Sequence, residues 1–211
     1  MKLHHVRCTL FSICCAALLS GAPANASGPH SAASPHARVI AVVLPQGGYS
    51  PIAVSEMGHE AARILMGSGV ALRWHLGPTQ VSDAMLVVVR LHGHCEMDES
   101  SAPTKPSVLG WSDEVDGEIL PFTSLACDNI RGLIQSTVGS GGPLPANVML
   151  GRAMGRVLAH ELYHVVADTA KHGNAGVAQR ALSARELTSS QLNLQPPDLE
   201  AIRNSLRETR R

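Results

Sequence analysis

Aromatic residues are scarce in this sequence, which has two Trp, two Tyr and two Phe among 211 residues. A hydrophobic core must therefore rest mainly on Val, Leu, Ile, Ala and Met. The apolar share is nevertheless 45%, which is typical of globular proteins. A chain of this length can bury a sizeable core as one domain, so the composition predicts a globular protein.

The sequence also has no excess of charge of either sign, since 17 Lys and Arg balance 17 Asp and Glu. Neither a basic patch nor an acidic tail interrupts this balance. A protein that binds nucleic acid or an anionic membrane surface usually carries such a patch. We therefore expect neither kind of partner.

No apolar run is long enough to cross a bilayer comfortably, and the longest lies close to the N-terminus. The basic start "MKLHHVR" precedes the apolar run "CTLFSICCAALLSG", and Ala24-x-Ala26 then offers a cleavage site for a signal peptidase. Residues 1–26 are thus predicted to be a signal peptide, with export to a periplasm or the extracellular space. Residues 27–37, rich in Ser, Pro and Ala, are predicted to be a flexible lead-in to a monomeric domain over 38–211.

Few cysteines remain once the predicted signal peptide is removed. Cys8, Cys14 and Cys15 leave with it, whereas Cys95 and Cys127 stay. Disulfides form in exported proteins, so this even pair predicts one disulfide bond. Two separate buried thiols are the alternative.

Alternating helical and strand patterns fill the first half of the predicted domain. The continuous apolar run 38–45 and the segments 70–76 and 84–93 have the composition of strands, the last one apolar enough to be central. A helix with one buried face is expected to begin at Pro51. Shorter strands are expected at 108–112 and 117–128, where Pro121 favours an edge position. These patterns predict an α+β fold, in which an α/β-type N-terminal sheet with helices precedes a long helix and a small helical C-terminal subdomain.

The long helix is expected from Asn147, as its N-cap, to about Asp168. At 100° per residue, an apolar stripe that should face the core falls on one side of this helix. His160 and His164 fall on the other side and should face a cleft or solvent. Two short helices should follow, the first with a capping box in "SARE" (183–186) and the second capped by Asp198. The core stripe is formed by Met154, Leu158, Leu162 and Val165.

"HELYH" (160–164) carries the clearest chemical signal. His160 and His164 are one helical turn apart on one face, so both imidazoles can reach one zinc ion at about 2.0–2.1 Å. Glu161 is rotated 100° from the first histidine, which places its carboxylate beside the metal. We therefore expect a zinc-activated water to hydrolyse a peptide bond, with Glu161 as general base. No other cofactor is indicated.

A catalytic zinc ion usually has a third protein ligand, and three residues compete for this role. His172 is the first choice, because Gly173 and Gly176 can supply a turn that brings a loop histidine back to the metal. Asp168 could ligate the zinc or orient an imidazole from outside the ligand set. Glu186 is a weaker alternative further along the chain.

The residues H160-E161-L162-Y163-H164 followed by H172-G173 resemble the metzincins, the zinc peptidases that include matrixins, astacins and archaemetzincins. The resemblance implies a zincin-like catalytic domain over 38–211, with one zinc ion held by His160, His164 and His172 and Glu161 as the base. It also implies a secreted metalloendopeptidase that acts on peptides or proteins.

The chain departs from the metzincin motif H-E-x-x-H-x-x-G-x-x-H in several positions. Ala167 stands at the glycine position and Ala170 at the third histidine position, so His172 comes two residues late. No methionine follows Met154, and "GVA" (176–178) stands about where the methionine turn of the family would be. No tyrosine follows the motif. These departures motivate an alternative, a catalytically impaired zinc-binding protein that acts as an exported binding module.

Overall fold

The computed structural model of the protein describes residues 37–80, 83–97, 108–138 and 144–209. The predicted signal peptide, 1–26, lies outside these residues. So does the predicted lead-in, apart from Ala37, which opens the first strand. No helix of the described ranges is both long and apolar enough to span a membrane.

The strands of the described residues are β1 (Ala37–Pro45), β2 (Val70–Leu76), β3 (Met85–His92), β4 (Gly110–Val115) and β5 (Glu118–Ala126). They form one mixed sheet in the order β2-β1-β3-β5-β4, and β4 alone among them runs antiparallel to its neighbour. The predicted central position of β3 is confirmed. Its side chains alternate, and Val87, Val89 and Leu91 are fully buried.

Pro121 does not mark an edge strand, so that prediction was wrong. Its strand, β5, lies between β3 and β4. The parallel pairing with β3 begins at Phe122, and the antiparallel pairing with β4 shifts register between Ser112 and Glu114. Pro121 lies opposite this irregularity, where its missing N–H interrupts no regular ladder.

Helices complete the predicted α+β class, and the long helix packs on the first helix and on the sheet edge formed by β4 and β5. The helix that begins at Cys127 was not predicted. The C-terminal part is helical, as expected. The helices are α1 (Pro51–Leu65), α2 (Cys127–Val138), α3 (Ala146–Ala167), α4 (Ala184–Thr188) and α5 (Pro196–Glu208).

Close contact between α1 and α3 depends on small residues of the long helix. A Cβ on Gly155 would lie 2.7 Å from the Met57 carbonyl oxygen and from Glu60 Cβ. Beside this contact, the guanidinium of Arg156 is fully buried and its Nε donates to Glu60 Oε1 at 2.9 Å. The helix pair thus combines a tight backbone approach with a buried ion pair.

Two of the predicted helix caps differ in the structure. Asn147 does not cap α3, because the helix begins one residue earlier and the Asn147 amide oxygen accepts from the Met97 backbone N–H at 2.8 Å. Asp198 is not the N-cap of α5. It lies in the first turn and accepts from the backbone N–H of Gln195, the true N-cap, at 2.9 Å. The capping box of Ser183 and Glu186 is confirmed at α4.

Cys95 and Cys127 are joined by a disulfide, with their Cα atoms 5.0 Å apart. Both residues are buried. The bond connects the segment after β3 to the first residue of α2. It therefore fixes the start of a helix that lies against α3 and α4.

Candidate metal centre

The two motif histidines of α3 are more buried than the sequence indicates. His160 is 9% exposed and His164 is 7% exposed, so neither faces open solvent. Of the two predicted surroundings, a cleft or solvent, open solvent is excluded because other elements surround the helix on several sides: α1, the sheet, α2, α4 and α5. What remains open is a cleft, and both imidazoles lie in its wall.

His172 joins the two motif histidines in one cluster. One ring nitrogen from each of His160, His164 and His172 lies within 4.8 Å of the others. The ring centroid of His172 is 5.3 Å from that of His160 and 4.8 Å from that of His164. The loop after α3 therefore folds back far enough to bring the third histidine to the first two.

The chain reverses at Asp168, which adopts a left-handed conformation with φ 47° and ends α3. The predicted glycine turn is thus partly wrong, because Gly173 has no positive φ and Gly176 turns the chain only later. Asp168 is exposed and does not join the histidine cluster. Glu186 is also placed elsewhere, since its carboxylate accepts from Ser183 and from Gln179.

Backbone carbonyls fix the tautomers of both motif histidines. Nδ1 of His160 lies 2.7 Å from the Val177 oxygen, and Nδ1 of His164 lies 2.7 Å from the Thr169 oxygen. A carbonyl oxygen can only accept, so each Nδ1 carries the hydrogen and each neutral ring presents a lone pair at Nε2. In metal sites, the ring nitrogen of a histidine that does not bind the metal usually donates to such an oxygen, which fixes the tautomer and the orientation of the ring.

The two Nε2 atoms of His160 and His164 lie 3.1 Å apart. Neither carries a hydrogen, so they cannot bond to each other, and together they leave two lone pairs facing one space. Two ligands at 2.0–2.1 Å from a tetrahedral zinc ion would lie about 3.3 Å apart. The residues present therefore fit one divalent metal ion, with His172 closing the third position.

The protonation of the cluster also suits a metal. Burial lowers the pKa of His160 to about 4, and the neighbouring His164 and His172 add to the shift. Burial likewise lowers the pKa of His164 and of His172. All three rings are thus neutral near pH 7, which is the state that binds metal.

A buried loop holds the carbonyl that orients His160. Val177 is fully buried, and its N–H donates to the Asn193 oxygen at 3.0 Å. Gly176 has φ 74°, and a Cβ there would lie 2.3 Å from the same oxygen. The Asn193 side chain accepts from Arg63 at 2.8 Å. The segment "GVA" thus connects a candidate ligand to α1 and to the C-terminal part.

Glu161 lies in the same cleft and is 4% exposed. Its Oε2 accepts from the Ser112 hydroxyl at 2.9 Å. The opposing strand leaves room for the carboxylate, because a Cβ on Gly110 would lie 3.0 Å from Oε1. Burial raises the pKa of Glu161 to about 7, although the Ser112 hydrogen bond opposes this shift. Sequence reasoning missed both strand residues, which come from a short, weakly patterned strand.

Two cavities meet at this site. The metal cleft, of about 300 Å³, holds all three histidines, and the side cavity, of about 360 Å³, extends between β4, α2 and the loop before α4. Leu133, Val157 and Leu182 give the side cavity an apolar lining. The linings share four residues: Gly110, His160, Glu161 and Arg180.

No family model matches the chain, and no curated protein matches it significantly.

Proposed function

We propose that the protein is an exported zinc-dependent metalloendopeptidase that hydrolyses peptide bonds, with Glu161 as general base. The observation that carries the proposal is the pair of Nε2 lone pairs of His160 and His164, 3.1 Å apart. His172 completes the ligand set. Glu161 lies in the same cleft. Export rests on the sequence of residues 1–26, outside the described part of the chain.

The bound zinc ion would lower the pKa of a water molecule and polarise the substrate carbonyl. Glu161 is the residue placed to accept a proton from the attacking water and to return it to the leaving amine. The Ser112 hydroxyl holds one carboxylate oxygen and leaves Oε1 for this transfer. A cation beside Glu161 favours its charged form, so metal binding should lower the pKa of this carboxyl.

An extended peptide suits the surroundings of the site. β4 is the last strand of the sheet and presents Ser112 and Gly110 to the cleft. An edge strand offers unpaired N–H and C=O groups to which an extended chain can add as a further strand. This geometry favours cleavage within a peptide chain, with one substrate side chain in the side cavity.

Glu161→Gln tests the role of the base. The amide cannot accept the proton, so kcat should fall by about 10²–10⁴-fold on a peptide library, while zinc remains stoichiometric. Glu114→Gln is the matched control, because Glu114 also lines the metal cleft but is exposed. Cleavage by Glu161→Gln at the wild-type rate would contradict the mechanism.

The second candidate is an exported zinc-binding module without turnover. The departures from the metzincin motif favour it, because Ala170 stands at the third histidine position and no methionine follows Met154. A binding module also needs no general base such as the Glu161 carboxyl. The residues that hold a metal do not depend on this carboxyl. Metal analysis combined with the peptide library separates the two functions: one zinc per chain without any cleavage would support the binding module.

A further inference from the structure

Arg180 is a cationic residue of the site that has no role so far. It lines both the metal cleft and the side cavity, in the company of His160, Glu161 and Gly110. The histidine is a candidate ligand and the glutamate the candidate base. The reacting bond of a substrate must lie beside both, and Arg180 lines the same junction.

Arg180 is exposed, and its side chain forms no hydrogen bond or ion pair with the described residues. A guanidinium carries five N–H donors and keeps its charge at all ordinary pH values. It is therefore free to donate to a group that enters the cleft. By contrast, Arg156 and Arg131 on neighbouring helices are already committed to carboxylates and carbonyls.

The other side-chain donors near the site are neutral. Trp111, which carries an indole N–H, lines the metal cleft but not the side cavity. The Ser112 hydroxyl already donates to Glu161. Tyr163 is 5% exposed and packs against the His164 ring, with 5.4 Å between ring centroids, and it lines neither cavity. No tyrosine follows it in the sequence. Arg180 is therefore the cationic side-chain donor that lines both cavities. It can donate to a negative charge that develops on a substrate oxygen at their junction.

We propose that Arg180 is a catalytic residue that stabilises the oxyanion of the tetrahedral intermediate; this rests on the proposed peptidase function. Water oxygen bonds to the carbonyl carbon, the C=O π electrons move to the carbonyl oxygen, and the water proton passes to Glu161. Arg180 donates N–H hydrogen bonds to that oxygen and loses no proton. When the C–N bond breaks, the oxygen electrons restore C=O and the proton passes from Glu161 to the amine.

The competing role for Arg180 is recognition of a substrate carboxylate, such as an Asp or Glu side chain. Its position argues for the oxyanion. A residue that recognises a substrate side chain needs to line only the cavity that this side chain enters. Arg180 lines both cavities. The two roles differ in a measurable way, because an oxyanion donor acts on every substrate and a carboxylate receptor on acidic ones only.

The test uses zinc-loaded full-length protein and the variants Arg180→Ala and Arg180→Lys. Arg185→Ala is the matched control, since Arg185 is exposed on α4 and lines neither cavity. Arg180→Ala should lower kcat by about 10²–10³-fold on neutral and acidic peptides alike, with KM and zinc content unchanged. Arg180→Lys should recover part of the loss. Arg185→Ala should match wild type.

A binding measurement separates the transition state from the ground state. Calorimetry with a tetrahedral phosphinate peptide should show weaker binding to Arg180→Ala by a factor similar to the loss in kcat. The matched amide peptide should bind equally to Glu161→Gln and to Glu161→Gln/Arg180→Ala. Equal losses for both ligands, an effect confined to acidic peptides, or wild-type kcat in Arg180→Ala would overturn the proposal. A zinc-loaded wild type that cleaves no peptide would overturn the peptidase function, and this role with it.

Discussion

Replacing Glu60 by Gln should strongly destabilise the protein, because Arg156 is fully buried and Glu60 is its only acidic partner among the described residues. Arg156 is 0% exposed and Glu60 is 6% exposed, and the two are 2.9 Å apart between α3 and α1. The second oxygen of Glu60 accepts from Arg63 at 2.7 Å. One carboxylate thus compensates two guanidinium groups.

The magnitude follows from what Arg156 retains after the change. Its remaining partners are neutral oxygens: the Glu186 carbonyl at 2.6 Å and the hydroxyl and carbonyl of Ser189 at 3.1 and 2.8 Å. Hydrogen bonding would persist, but the charge would be uncompensated in the core. Removal of one partner of a buried ion pair costs about 3–5 kcal/mol, so we expect a loss of this size in the free energy of unfolding.

Urea unfolding at pH 7 measures this loss, and Glu56→Gln provides the control. Glu56 lies one turn earlier on α1 and pairs with Arg152, one turn earlier on α3, at 3.5 Å. Both of these side chains are about a quarter exposed, so this pair should contribute at most about 1 kcal/mol. Equal losses in the two variants would refute the argument from burial.

The loss in the free energy of unfolding caused by Glu60→Gln should also depend on pH, and the pKa of Glu60 gives the direction of this dependence. Burial raises the pKa of Glu60, but the hydrogen bonds and charges of Arg63 and Arg156 outweigh it and leave the pKa below its ordinary value of 4.5. A lowered pKa in the folded state stabilises the protein above the unfolded pKa, and this contribution is lost as the pH falls through the folded value. The difference between wild type and Glu60→Gln should therefore shrink below pH 4.5. A constant difference would contradict the assignment.

Two further predictions concern the loop and the disulfide. In Gly176→Ala, the added Cβ would lie 2.3 Å from the Asn193 oxygen, so the Val177 carbonyl should be displaced. Zinc affinity, measured in competition with a chromophoric chelator, should fall by about 10–100-fold. Gly67→Ala is the control, because Gly67 also has a positive φ of 90° but no atom within 4 Å of the added Cβ, and it should leave zinc affinity unchanged. Equal zinc affinities in the wild type, Gly176→Ala and Gly67→Ala would contradict the role of the loop. Replacing both Cys95 and Cys127 by Ala should lower the free energy of unfolding by about 3–4 kcal/mol, given a separation of 32 residues. Unchanged urea unfolding would contradict this value.

The fold was predictable where the local pattern and tertiary packing agree. The apolar runs of β1 and β3 and the capping box at α4 all specify their elements locally. By contrast, α2 was missed, although Cys127, Ile130 and Ile134 are fully buried at helical spacing. Gly132 weakens the helical pattern, and the helix starts directly at the end of β5, so its first residues continue an apolar strand segment.

The relative directions of the site residues were predictable only within one helix, whereas His172 was the first choice among three candidates outside the motif. The periodicity of α3 relates His160, Glu161 and His164, because their spacing alone fixes their relative directions. The position of His172 depends on the left-handed turn at Asp168, a conformation that the sequence did not indicate. Arg180 follows His172 by eight residues, and the strand residues at the site come from β4. Tertiary packing brings them there, and no spacing in the sequence marks them.

The central claim is that His160, His164 and His172 bind one zinc ion. X-ray absorption at the zinc edge, on protein without a histidine tag reconstituted with one equivalent of zinc, tests it most directly. We predict three imidazole nitrogens at about 2.0–2.1 Å in the wild type and two in His172→Ala. Failure to retain zinc, or the same number of imidazole ligands in both proteins, would contradict the claim.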